Sequence, residues 1–307
     1  MFFRLRHIKT PALALCAIAI LSGESPAYTV FDATGAAFEF SEPPTVVSLT
    51  PSVSESVCQI GAEDKLLGVS VFCGYPASLA AADPKAEKIA AALNGKKRLG
   101  SFFSPKYEEI LALKPDIVIM PNSVESSARN KLQRLGLKVF LLHPDGLDEI
   151  SKNAKILGEL FRLEKSAEAE IAAFNAKIPP KKPLPDGAPK AVFIFDNGYA
   201  AGAKSFAGEL IERFGYKNIA TQNMPMWFVP QGEFLLAKNP QVVFIAARDE
   251  NEFSRIKASL LKKMPKNAES KKDFVFVALE SVIIPSFRLA GANIPKANPQ
   301  KTGDSKN

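Results

Sequence analysis

The sequence predicts an α/β protein of two lobes, each built on a parallel sheet and joined by one long interlobe helix. Three observations carry that prediction. Short β-branched runs alternate with helical segments, the pattern of a parallel sheet covered by helices. The stretch YEEILALKPDIVIM (Tyr107–Met120) returns 125 residues later as GEFLLAKNPQVVFI (Gly232–Ile245), pairing Glu108 with Glu233, Leu111 with Leu236, Pro115 with Pro240 and Val118 with Val243. Between the copies, Gly146 to Ile178 keeps apolar residues at helical spacing without an internal proline.

In chain order, the first 27 residues stand apart. Arg4, Arg6 and Lys9 precede an apolar run from Pro11 to Leu21, and Ser25-Pro26-Ala27 offers small residues for cleavage. The run is too short for a spanning helix and reads as a secretory signal peptide with a mature start near Tyr28. Cys16 invites a lipoprotein reading, which the bulky Leu15 before it disfavours. The expected location is the periplasm.

The N-terminal lobe is expected over 28–145. Thr45–Leu49 is a strand, followed by a turn and a helix over Val53–Ile60 that Gly61 stops; Leu66–Val71 is the next strand. The first quoted copy supplies a helix that Ser104 can cap, with Pro105 in a tolerated first-turn position, and then the strand Ile117–Met120. Ala128–Leu135 is a helix closed by Gly136, and Lys138–Leu142 a strand. The interlobe helix takes 146–178, and PPKKPLPDGAPK (Pro179–Lys190) is a linker. The second lobe, 191–292, restarts with a strand at Ala191–Phe195, a glycine-bearing loop at Gly198–Gly202, a helix at Ser205–Phe214, and the second copy. From 293 to 307 the chain is polar and is expected to be disordered.

At 307 residues, 47% hydrophobic and 23% charged, the chain can support two domains. The formal charge of +7 falls to +5 without the signal segment, and its lysines are scattered, which argues against nucleic acid as a partner. Two cysteines remain in the mature chain, Cys58 and Cys73. An oxidising compartment permits a disulfide between them; two buried thiols is the other reading.

Catalytic signatures are missing. The mature chain has one histidine, His143, so no Ser-His-Asp or Cys-His set assembles, nor a metal site of several His or Cys ligands. GYAAGAKS fails as a phosphate loop because Ala203 stands where glycine is required. An enzyme is not expected, and no cofactor. Aromatic residues stand out instead: Phe72 after the second strand, Phe102 and Phe103 before the first repeated helix, Tyr199 in the second lobe's first loop, and Trp227 before the second copy. These are the places where open α/β sheets bind ligands. Phe102 lies six residues before Glu108 and Trp227 six before Glu233, so each lobe offers a flat apolar side chain suited to a large planar ligand.

Three segments, VVSLTPSVSESVCQIGAEDKLLGVS, RLGSFFSPKYEEILALKPDIVIM and GLKVFLLHPDGLDEI, resemble the metal-chelate class of periplasmic solute-binding proteins. Members of this class serve ABC importers of cobalamin, haem and ferric siderophores. The resemblance covers about Thr45 to Ala292 and implies a class III periplasmic binding protein-like fold, with ligand held between two lobes and the chain acting as a monomer. It also implies that Glu108 and Glu233 meet arginines on the two copies of a membrane permease. The alternative is that each acid favours only its own helix's first turn. Trp227 and Phe102 match aromatic positions of cobalamin-binding members, and Phe72 matches a tyrosine in them. Ser101 stands where haem-binding members usually carry a coordinating tyrosine. Siderophore binders often use arginines in the cleft, and Arg98 and Arg288 could serve an anionic chelate; the aromatic matches favour a corrinoid, with a ferric siderophore behind it and an exported α/β enzyme acting on a metal chelate last. The family's last helix should follow Phe287-Arg288, but Gly291 and Pro295 interrupt it.

Overall fold

The computed structural model describes residues 27–76, 78, 81, 84–122, 127–144, 146–264 and 272–298. Residues 1–26, nearly all of the expected signal peptide, and residues 299–307 lie outside the described residues.

A hairpin of β1 (Tyr28–Phe31) and β2 (Ala37–Phe40) opens the chain, an element the sequence reading missed. The N-terminal lobe follows as β3 (Val46–Ser48), α1 (Pro51–Gln59), β4 (Leu66–Val69), α2 (Pro84–Asn94), β5 (Lys97–Arg98), α3 (Tyr107–Leu113), β6 (Ile117–Pro121), α4 (Ser127–Arg134) and β7 (Val139–Leu142). Its five strands lie in the order β5-β4-β3-β6-β7, every pairing parallel. Helices on both faces demand strands that are apolar throughout. Accordingly Val46, Ile117 and Ile119 enter one core while Val47, Val118 and Met120 enter the other.

The C-terminal lobe repeats this plan with β8 (Lys190–Ile194), β9 (Ala200–Ala201), α7 (Phe206–Arg213), β10 (Lys217–Asn218), β11 (Trp227–Phe228), α8 (Gly232–Lys238), β12 (Val242–Ala247), α9 (Glu250–Leu261), β13 (Asp273–Ala278) and the short α10 (Leu279–Val282). β10, β8, β12 and β13 pair in parallel, as β4, β3, β6 and β7 do. The repeat extends to backbone conformation. Lys114 and Asn239 end the two copied helices in the left-handed region, at φ 49° and 45°, each just before a proline. Gly61 and Gly215 stand after α1 and α7 at φ 93° and 94°. The N-cap of α3 is Lys106, not Ser104; Ser104 instead exchanges backbone hydrogen bonds with Ser101 in the preceding loop.

Between the lobes, the expected single helix is two: α5 (Leu147–Phe161) and α6 (Glu164–Lys177). Arg162 adopts φ 56°, and Leu163 N–H bonds back to the Gly158 carbonyl at 2.8 Å, a helix-terminating arrangement. Gly158 has no room for a side chain because Ala167 packs directly over it, so α6 lies close against α5. α5 starts in the C-terminal core with Leu147, Ile150 and Ala154 and ends in the N-terminal core with Leu157, Leu160 and Phe161. α6 returns, with Ala167 in the N-terminal core and Phe174 in the C-terminal core. The joint is therefore crossed twice. Arg213 on α7 adds ion pairs to Asp148 of α5 at 2.6 Å and to Glu209 at 2.8 Å.

After α10 the chain makes a 3-10 turn at Phe287–Gly291. The first part of the expected disordered tail is ordered instead: Ile294 is buried in the C-terminal core, and Ala297 N–H bonds to the Phe214 carbonyl at 2.9 Å. Among the described residues no helix follows this turn, in keeping with Gly291 and Pro295.

Candidate functional site

Phe72 and Phe102–Phe103 follow the carboxyl ends of β4 and β5 in the N-terminal lobe, and Tyr199 follows that of β8 in the C-terminal lobe. Phe72 follows β4 in a turn held by Cys73 N–H to the Ser70 carbonyl (3.1 Å), Phe72 N–H to Ser70 Oγ (3.2 Å) and Val71 N–H to the Gly100 carbonyl (2.7 Å). Phe72 is 68% exposed. Phe102 and Phe103 form the tip of a tight loop closed by a bridge between Gly100 and Pro105, and their rings touch at 3.9 Å between centroids. Phe102 packs against the core beneath while Phe103 is 78% exposed. The loop depends on Gly100, whose φ is 83° and whose missing Cβ leaves space for the Ser104 carbonyl. Ser101, at the position of the haem-ligating tyrosine, is buried inside this loop.

In the second lobe, Tyr199 sits in the turn between β8 and β9, 45% exposed, its N–H bonded to Asn197 Oδ1 at 3.1 Å. Trp227 lies in a strand rather than the expected loop, paired with Ala201 of β9. Its half-buried ring meets Phe195 and Phe206 edge-on, at 5.4 and 5.6 Å. Gly202 lets the Trp227 strand approach: its N–H bonds to the Met226 carbonyl at 2.8 Å, and a Cβ there would meet the Pro225 carbonyl. Met226 and Val229 flank Trp227 with exposed apolar surface.

Arg288 is a correction. As a cleft cation it should be free, but Arg288 and Glu55 form a buried pair, Nε to Oε2 at 3.0 Å and Nη2 to Oε1. Ser286 Oγ donates to the same carboxylate at 2.6 Å. Burial pushes the Glu55 carboxyl above its ordinary range, while Arg288 and Ser286 act in the other direction. An arginine already spent on a buried carboxylate has no charge to offer a chelate. Arg98 remains at the site, half-buried, with Nη1 at 3.5 Å from the Ser70 carbonyl at the end of β4. The Glu55 role was missed by sequence reading, although an acid among the apolar positions of α1 was its signal.

Of the two readings for Cys58 and Cys73, the structure has the pair of thiols. Cys58 and Cys73 are free thiols buried in one apolar cluster, and Cys73 Sγ donates to Ser54 Oγ at 3.2 Å. Burial pushes them up to about 12 and about 11, so neither forms thiolate at neutral pH. Glu108 and Glu233 are both exposed, each in the first turn of its helix, α3 and α8. These helices feed β6 and β12, which occupy the same place in the two sheets.

Comparison with known proteins agrees with this layout. A curated cobalamin-binding protein of Halobacterium salinarum is 29% identical over 210 residues, covering 66% of this chain and 54% of its own length. The chain thus spans about half the length of that relative. Among solved structures, the molybdate periplasmic binding protein MolA of Haemophilus influenzae superposes with a TM-score of 0.66 at 15% identity, covering 86% of this chain and 87% of its own. The vitamin B12 binding protein BtuF of Vibrio cholerae gives 0.59 at 19%, covering 81% and 93%. These likenesses speak for the fold. The family model described as periplasmic binding protein matches residues 46–271. That match takes in the N-terminal sheet, the joint and the C-terminal lobe as far as α9, well over half of the sequence, so this chain belongs to the periplasmic binding protein family.

Proposed function

We propose that this protein captures a metal chelate, a corrinoid before others, in the gap between its lobes, and delivers it to an ABC import permease through Glu108 and Glu233. The observation that carries the ligand reading is the set of aromatic rings at the strand ends, Phe72, Phe102, Phe103, Tyr199 and Trp227. Exposing large apolar rings on rigid turns costs stability unless a ligand covers them. Flat faces with few charges suit a macrocycle of mixed apolar and amide surface. Relatives named for cobalamin and vitamin B12 support the same choice. The protein acts as a periplasmic monomer after removal of its signal segment.

A ferric siderophore is the second reading, favoured by Arg98. It is weaker than the sequence suggested, since Arg288 is committed to Glu55.

Trp227 provides the test because it is the only tryptophan. Titration with cyanocobalamin should quench its emission to saturation at one equivalent. Trp227→Ala, followed by calorimetry, should weaken binding by at least about 1 kcal/mol, roughly fivefold. An unchanged emission together with no heat of binding removes the corrinoid reading, and a response to a ferric siderophore would install the alternative.

A further inference from the structure

The Arg288 guanidinium does more than neutralise Glu55. It leaves the C-terminal lobe, where its Nη1 donates to the Glu280 carbonyl at 3.0 Å and Ser286 Oγ accepts from its backbone N–H at 3.4 Å. It then reaches two separate elements of the N-terminal lobe. One is α1, through Glu55. The other is the turn after β4, where Nη2 lies 3.4 Å from the Gly74 carbonyl and the guanidinium stands 4.9 Å from the Tyr75 ring centre. That turn is the one that carries Phe72.

We propose that Arg288 is a positioning residue for ligand capture: it ties the C-terminal lobe to both α1 and the Phe72 turn, and so holds the Phe72 ring in place without touching ligand. Three features make this specific. The planar fork satisfies a carboxylate and two carbonyls at once, which a lysine's single nitrogen cannot do. Its contacts join residues more than 200 positions apart, so the tie acts between lobes rather than within one. The other supports of the turn, Ser70 and Gly100, belong to the N-terminal lobe and cannot relate Phe72 to the second lobe.

The experiment is hydrogen exchange on the ligand-free, full-length folded protein, read in peptides covering residues 70–75. Arg288→Lys keeps a cation beside Glu55 but cannot also hold Gly74. It should speed exchange in that turn by tenfold or more while β6 and β12 stay protected. Should this variant fail to fold, the double variant Glu55→Met with Arg288→Met removes both charges together, so no lone buried charge is left, and the same local loss is expected. Unchanged exchange at 70–75 in the folded variant overturns the proposal.

A second arm, which rests on the corrinoid reading, is a double-mutant cycle with cyanocobalamin. Phe72→Ala should weaken binding less in the Arg288→Lys background than in the parent, and full additivity counts against positioning. If the parent itself ignores cyanocobalamin, the ligand reading fails by itself, and the exchange measurement still decides the role of Arg288.

Discussion

Asp116 and Gln241, 125 positions apart, make the same clasp on the first parallel strand of their lobes. Asp116 N–H bonds to the Thr45 carbonyl at 3.0 Å, and its Oδ2 accepts from Thr45 N–H at 2.7 Å. Gln241 N–H bonds to the Lys190 carbonyl at 2.8 Å, and its Oε1 accepts from Lys190 N–H at 2.8 Å. In both, the residue after the helix-ending proline fastens the start of the neighbouring strand. The duplication therefore survives in hydrogen-bond geometry where the side chain itself has changed.

Removing either clasp should cost about 1 kcal/mol, the net worth of one or two hydrogen bonds at a solvated position. Asp116→Ala and Gln241→Ala are compared by urea midpoints. Only the first clasp titrates. The Thr45 hydroxyl and amide hold the Asp116 carboxyl below its usual range. A depressed folded value gives stability that is present above the unfolded pKa, about 3.9, and lost as pH falls through the folded one. Asp116→Asn should therefore flatten the stability curve below about pH 4. An acid limb as steep as the parent's would contradict the assignment.

Gly100 and Gly61 both have positive φ, but they differ in space. A Cβ at Gly100 meets backbone at Ser104, whereas at Gly61 nothing lies within 4 Å. Gly61→Ala should lose about 1 kcal/mol from backbone strain alone. Gly100→Ala should lose more and also weaken ligand binding, because the loop it closes presents Phe102 and Phe103. Equal losses in chemical denaturation would show that the tight loop yields without cost.

The two thiols should be silent in the native state. In protein lacking its first 27 residues, Cys58 and Cys73 should react with a disulfide reagent at pH 8 only after denaturation, and then two equivalents should appear. Burial and pKa values of about 11 and 12 both act in that direction. Zero equivalents after denaturation would reveal a disulfide instead.

Glu108→Lys with Glu233→Lys tests docking. Both side chains are exposed, so the folded state should change by no more than about 0.5 kcal/mol per site. Ligand affinity should be unchanged, while uptake through a cognate permease in proteoliposomes is lost because two like charges now face each other across the contact. Normal uptake by the doubly reversed protein would leave the acids with only their helix-terminal role.

Much of this molecule was legible before its coordinates. The apolar runs at Val46–Ser48, Ile117–Pro121 and Val242–Ala247 could only be strands buried on both faces, and the repeated motif announced two similar lobes. The turn positions of Phe72 and Tyr199 followed from where a strand stopped, and that of Phe103 from where the repeated helix began. Sequence spacing did less well wherever a partner was remote. The break at Arg162 carries neither glycine nor proline of its own; it arises because Gly158 lets Ala167 fold back over it.

Local pattern decided the elements, since helix and strand periods and turn chemistry act over a few residues. Pairing across the joint was left to the tertiary structure. Arg288 looked like a free cation until α1 brought Glu55 to it from 233 positions away, and the choice between bridge and thiols at Cys58 and Cys73 stayed open until packing placed both in one apolar cluster as free thiols. A charge's role depends on which opposite charge shares its low-dielectric surroundings, and no neighbour in the chain reports that.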